Sequence, residues 1–230
     1  MSVGRGSDDG GRALDGGPIL RSETSRLLAF SDGVFAIVIT LLVLDLQPPR
    51  VGRGQMLDAL VEQWPAYLAY VTSYVFVAVT WLNHRSALAR VTNSGKGLQF
   101  YNLGVLFTTA LVPFATSIVS EAVRQGDRAD ERTGVALYGL VGMLLAASWL
   151  GLYHYLSRHH DLVDPAVPRK FFRAERARAA VGILGYALAV LIGLVTDPLC
   201  ALTIFLLLPM FYTLTSSGLY ELRRLRRPAG

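Results

Sequence analysis

A single cysteine, Cys200, occurs in the 230 residues, so no intrachain disulfide can form. It falls in an apolar run and is expected to serve as a small packed side chain. The patterns GxSxG, HExxH and CxxC are missing, as is any glycine loop of phosphate-binding spacing. Nucleophilic, zinc-dependent and nucleotide-dependent catalysis therefore lack their residues, and neither an enzyme nor a resident metal or cofactor is expected. His154, His159 and His160 invite a metal-ligand reading, yet they lie at a helix end and in a basic loop without a carboxylate or thiol at ligating spacing. A solvated interface is the better reading. The first 25 residues hold no compact apolar core ahead of a small-residue cleavage site, so no signal peptide is expected there. Charge is also scarce, at 17% of residues, against about 25% in ordinary soluble domains.

Apolar residues are abundant instead. They make up 52% of the chain, and the mean hydropathy is +0.40. Together with several segments of spanning length, this predicts an all-α integral membrane protein with six transmembrane helices. The spans are expected at about 25–46, 64–90, 98–121, 134–156, 177–195 and 198–220. Gln47, Pro48 and Pro49 close the first. The second helix begins near Met56 and enters the membrane near Trp64 and Pro65, and Pro113 should kink the third. Gly139, Gly142, Ala146 and Ala147 favour close packing in the fourth. Residues 157–178 read as a long basic loop leading into the fifth helix, and Thr196, Asp197 and Pro198 as a cap followed by proline at the first position of the sixth. The expected organisation is a flexible cytoplasmic arm at 1–24, a membrane domain at 25–222 and a basic cytoplasmic tail at 223–230.

The net charge of +5 does not mark a nucleic-acid partner, because the basic residues cluster beside the spans and no DNA- or RNA-binding signature accompanies them. Seventeen of the 22 Lys and Arg fall in the arm, the second-to-third turn, the fourth-to-fifth loop and the tail, leaving five for the other two loops. That bias puts both termini in the cytoplasm, as an even number of spans requires. Membrane lipids are expected partners, and the arginines at 223–227 are either a topology marker or a contact to anionic headgroups.

The first span, RLLAFSDGVFAIVITLLVLDL at 26–46, has unusual contents. Ser31, Asp32 and Gly33 precede an apolar run interrupted only by Thr40. At about 100° per residue, Phe30, Gly33, Ile37, Thr40, Leu41 and Leu44 share one stripe. Arg26 and Asp32 are too far around the helix to pair, so each is expected to find a partner on another helix. A carboxylate inside a span costs about 2.5–3.5 kcal/mol on insertion scales, which places this helix inside a bundle. Trp81, Asn83 and His84 of the second span lie at matching depth and can meet Ser31 and Asp32 in a buried polar knot. Such a knot either packs helices or governs how the first helix moves. Taken alone, the stripe reads as core packing.

Arg26, Phe30, Ser31 and Asp32 in the pattern RxxxFSD, followed by GVFAIVITLLVLDL, resemble the first helix of the transmembrane protein 175 family of potassium channels. WPAYLAYVTSY, WLNHR and LVPFATS are similar to its second and third helices, while the last three spans match mainly in length and placement. The resemblance implies that first helices from several chains line a common pore, with Ile37, Leu41 and Leu44 as apolar rings and Thr40 as a hydroxyl ring between them. Arg26, Phe30, Ser31, Asp32, Trp81, Asn83 and His84 would form the structural or gating network. One FSD per chain, where larger members carry two, implies a homotetramer with potassium as the permeant ion, in a prokaryotic cell membrane. TVGYG is absent, so a carbonyl-ring filter of that kind is excluded. Two rival classes remain: a proton-coupled secondary transporter using Asp32, and a structural or regulatory membrane protein without permeation.

Overall fold

The computed structural model describes residues 17–215, with side chains from 24 to 212 apart from Leu199. The expectations for the outermost part of the arm and for the tail lie outside these residues. The described chain runs through α1 (Gly17–Leu42), α2 (Met56–Glu62), α3 (Trp64–Leu88), α4 (Lys96–Ala110), α5 (Val112–Gln125), α6 (Arg128–Arg158), α7 (Arg169–Val195) and α8 (Pro198–Thr215), with single 3-10 turns at Val43–Asp45 and His160–Leu162. Among the described residues, five helical stretches have the length and apolarity of a membrane span; Cys200–Tyr212 within α8 is apolar but shorter.

Several boundaries differ from expectation for local reasons. α1 is helical from Gly17, inside the stretch read as an arm. The second helix is divided at Gln63, where Pro65, with no N–H to offer, suits the first turn of a new helix. The kink expected at Pro113 is a break at Leu111: α4 ends at Ala110 and α5 restarts with proline in its first turn. α7 starts at Arg169, so the segment read as loop up to 178 is helix in its second half, directly after Pro168 in extended conformation. Gly126 ends α5 with φ of 72°, a left-handed conformation that glycine takes without strain. Asp127 then caps α6 by accepting from the backbone N–H groups of Ala129 and Asp130.

α6 and α7 form the closest helix pair, with α3, α4, α5 and α8 around them and α1 against α3 and α4. Glycines on α6 permit this approach. The ring of Tyr186 on α7 occupies the space above Gly142, and a Cβ there would stand 2.5 Å from it. Gly134 lies against the backbone of α5 near Val119. Ala146 is buried with them, whereas Ala147 faces outward. Cys200 is exposed on α8, not packed as its apolar neighbourhood suggested, because the inward positions of that helix belong to Ala201 and Phe205.

At one end of the bundle the α3–α4 turn is clasped to the α6–α7 loop. Val91 and Val163 form an antiparallel bridge, Thr92 N–H donates to the Leu162 carbonyl at 2.9 Å and Asp164 N–H to the Arg90 carbonyl at 3.0 Å. Nine of the seventeen Lys and Arg of the basic side lie at this end, Arg90 in the turn itself and the others on the adjoining ends of α3, α4, α6 and α7. At the opposite end Arg128 and Asp197 lie 3.5 Å apart.

Replacing Gly142 with valine drives methyl groups into the Tyr186 ring, which is itself enclosed. Gly142→Val should lower stability by about 1–3 kcal/mol, read as a reduced melting temperature of the detergent-solubilised protein. Ala147→Val on the exposed side of the same helix should leave it nearly unchanged.

Candidate functional site

α1 has two unlike faces. Ser31, Phe35, Val38 and Leu42, at spacings of four and three, are buried against the rest of the chain. The other face carries the stripe: Phe30 is 55% exposed, Ile37 59% and Leu41 43%, with Gly33 and Thr40 exposed between them, while Leu44, 60% exposed, follows in the 3-10 turn because α1 ends at Leu42 and not at the expected 46. Instead of lying inside a bundle, α1 is attached to its own protomer along one side. The Thr40 hydroxyl donates to the Ile37 carbonyl at 2.8 Å, so its proton is used and its oxygen remains able to accept.

Two sets of hydrogen bonds fasten the buried side. Trp81 Nε1 on α3 donates to Asp32 Oδ1 at 2.7 Å. The second set is a chain through three helices. Ser31 Oγ donates to the Leu27 carbonyl at 2.9 Å and accepts from Asn102 Nδ2 of α4 at 3.0 Å, while Asn102 Oδ1 meets His84 Nε2 of α3 at 2.7 Å. Because the Asn102 amide nitrogen is used on Ser31, its carbonyl oxygen faces the imidazole, and His84 must donate from Nε2. His84 Nδ1 then stays buried without a hydrogen-bond partner, with the ring centroid 5.2 Å from Phe35 and 6.1 Å from Trp149. His84, Ser31 and Asn102 are all completely enclosed.

The sequence-derived knot is therefore assembled, with corrections. Ser31, Asp32, Trp81 and His84 converge, but His84 binds Asn102 and not the carboxylate. Asn102 is the missing member; its amide inside an apolar span was the signal that could have found it. Asn83, one position before His84, turns about 100° away and lines a separate cavity of about 60 Å³ among α3, α6, α7 and α8, beside Tyr153, Glu175, Arg178 and Tyr186. Arg26 is exposed and has no hydrogen bond or ion pair among the described residues, so the partner expected for it on another helix is not found there. Phe30 belongs to the exposed stripe and not to the knot.

Two other features lie outside the expectations. Ser73, Tyr138 and Thr116 form a buried hydroxyl cluster joining α3, α6 and α5, with oxygens 3.1 and 2.7 Å apart. At the clasped end, His159 stacks on Tyr155 and His160 meets the edge of Phe172. Among the described residues, no three of His, Cys, Asp and Glu come together as a metal-holding group.

A family model described as "Endosomal/lysosomal potassium channel TMEM175" matches residues 26–113, the part that contains both halves of the knot. A protein of Streptomyces collinus named as a potassium channel is 42% identical over 179 residues, covering 77% of this chain and 86% of its own length. The crystal structure of a "lysosomal potassium-selective channel TMEM175 homolog" from Chamaesiphon minutus superposes with a TM-score of 0.73 at 28% identity, covering 85% of this chain and 99% of that one. A Gallus gallus protein named as an endosomal/lysosomal proton channel, TMEM175, is 39% identical over 105 residues, which is 42% of this chain and 21% of the relative.

Asn102→Leu keeps the side-chain size but strands the His84 Nε2 donor in an enclosed site, at about 1–3 kcal/mol for the orphaned group, and leaves Ser31 Oγ with its bond to the Leu27 carbonyl alone. The detergent-solubilised variant should melt several degrees below the parent, whereas Asn83→Leu, outside the chain of bonds, should shift the midpoint far less.

Proposed function

This chain belongs to the TMEM175 family, and from that premise we propose that it is a potassium-permeable, potassium-selective channel whose pore is lined by α1 from several copies. The family is one of integral membrane ion channels, and the relatives named above extend to bacteria. What carries the reading is the division of α1: a polar, buried side fixed to α3 and α4, and a free side presenting Ile37, Thr40 and Leu41 in one row, with exposed Leu44 in the 3-10 turn that follows. Copies arranged around an axis, with six crossings and cytoplasmic termini in each, place that row at the centre. A homotetramer is the assembly that one FSD per chain favours.

Rings of Ile37, Leu41 and Leu44 oppose conduction because methyl groups return nothing for the water an ion sheds, and a narrow apolar constriction empties of liquid. Potassium gives up water more cheaply than sodium, so the same barrier ranks the two ions. Thr40 supplies an oxygen between the rings. Its proton is committed to the Ile37 carbonyl, so the lone pairs are what a passing cation meets. Asp32 and Ser31 act from behind, by fixing how far α1 leans into the axis.

A second reading, a proton-coupled secondary transporter using Asp32, draws on the proton-channel name of the Gallus gallus relative and on the half-buried position of the Asp32 carboxylate. Flux into liposomes separates the two. Passive potassium movement driven by a diffusion potential supports the channel, while movement only when a proton gradient is supplied supports the transporter. Silence under both conditions removes permeation altogether.

Ile37→Asn wets the constriction. It should raise potassium conductance or shift the reversal potential in mixed potassium and sodium toward that of an unselective pore, measured in planar bilayers; parental currents would take Ile37 out of the pathway.

A further inference from the structure

We propose that the cytoplasmic end of α7 is a binding site for the phosphate headgroups of anionic phospholipids. Because the chain is helical from Arg169, and not a loop, its basic residues acquire a fixed arrangement. Arg169, Arg173 and Arg176 follow one another at spacings of four and three, within about 60° of the helix circumference, with Lys170 on their flank. Arg169, Lys170 and Arg173 are exposed and Arg176 half-buried, and none of the four is ion-paired among the described residues.

The opposite side of the same turns is anchored. Phe172, Glu175 and Ala179 are buried, the Glu175 carboxylate is engaged by Arg178, and the Arg90 guanidinium lies 4.7 Å from the Phe171 ring. The acid of this segment is thus turned inward while its free cations point out. The exposed carboxylates nearby are Asp161 and Asp164, and Asp164 already accepts from Ala166 N–H at 2.8 Å. Unpaired cations in the first turns of a helix oppose its dipole, so the fold itself gains nothing from them. An external anion would offset that repulsion.

Depth identifies the anion. Beyond Arg178 the helix is apolar to Val195, with Val181, Leu184, Leu188 and Leu191 exposed as a lipid-facing row. From Arg169 to Arg176 the axis rises about 10 Å, enough to cross one polar headgroup layer of roughly 5–7 Å. The cations therefore stand where phospholipid phosphates lie, on the side that the basic excess assigns to the cytoplasm. This inference is independent of what crosses the membrane.

The full chain in phosphatidylcholine nanodiscs, titrated with phosphatidylglycerol, provides the test. Phosphatidylglycerol should raise the melting temperature. A cation near a charged bilayer contributes on the order of fivefold in affinity, so Arg169→Gln, Arg173→Gln and Arg176→Gln combined should weaken the response at least tenfold. The matching triple lysine variant should keep most of it, and neutralising Arg223, Arg224, Arg226 and Arg227 should leave the α7-dependent part intact. A glutamine variant that responds like the parent, or a response carried by the tail arginines, overturns the assignment. Inorganic phosphate reproducing the stabilisation in pure phosphatidylcholine would overturn it in favour of a free-anion site.

Discussion

Within lipid an apolar helix has no hydrophobic reason to prefer another helix over acyl chains. What holds α1 to its protomer is therefore the contact of Phe35, Val38 and Leu42 together with the bonds from Ser31 and Asp32. Each polar link between membrane helices is worth about 0.6–2 kcal/mol, and the links of α1 to α3 and α4 described above sit at two adjacent residues about midway along it. The helix is pinned at Ser31 and Asp32, while toward Leu42 it is held by packing alone. Such an attachment fixes position at the pin and leaves lean of the far half comparatively cheap.

The pin is only as rigid as α3 and α4, and their setting depends on the other half of the chain. Gly142 beneath the Tyr186 ring brings α7 onto α6, and the Ser73, Thr116 and Tyr138 hydroxyls bind α3 and α5 to α6 away from water. At the basic end, the Val91–Val163 bridge joins the exit of α3 to the loop that precedes α7. His84 lies one helical turn before the end of α3. The clasp and the chain of bonds that ends on α1 are therefore joined by a short, continuous stretch of helix.

Element type was legible in the sequence because runs of apolar residues leave one solution for a backbone in lipid. Breaks were harder. Pro113 announced a kink and Pro65 was read only as the point of membrane entry, since whether a proline bends a helix or starts a new one depends on how the residues before it pack. The start of α7 at Arg169 was hidden because a basic, proline-flanked stretch has the composition of a loop; burial of Phe172 and Glu175 on its inner side overrides that composition. In the site, Ser31, Asp32, Trp81 and His84 could be matched by depth. The pairing could not, since depth says nothing of angle: one residue separates His84, which turns toward α4, from Asn83, which turns toward the cavity. Asn102 was visible as an amide in a span, but its role required knowing that α4 crosses behind α1.

Exposure alone does not distinguish a pore face from a lipid face, since both are apolar and both lack partners within one protomer. In the proposed assembly the distinction lies in what interrupts them. On α7 the outward row of Val181, Leu184, Leu188, Leu191 and Val195 contains no polar group, as suits a surface against acyl chains. On α1 the corresponding row is broken by Gly33, which leaves open space, and by Thr40, whose hydroxyl proton is held by the Ile37 carbonyl. A threonine whose proton is already satisfied gains nothing from facing lipid, whereas facing a cation uses the oxygen that remains. The polar residues behind that row are bonded to α3 and α4 and so are withheld from the free face. The row itself is left as a mostly greasy surface with a single oxygen step, the composition that the proposed barrier would need to pass a weakly hydrated cation.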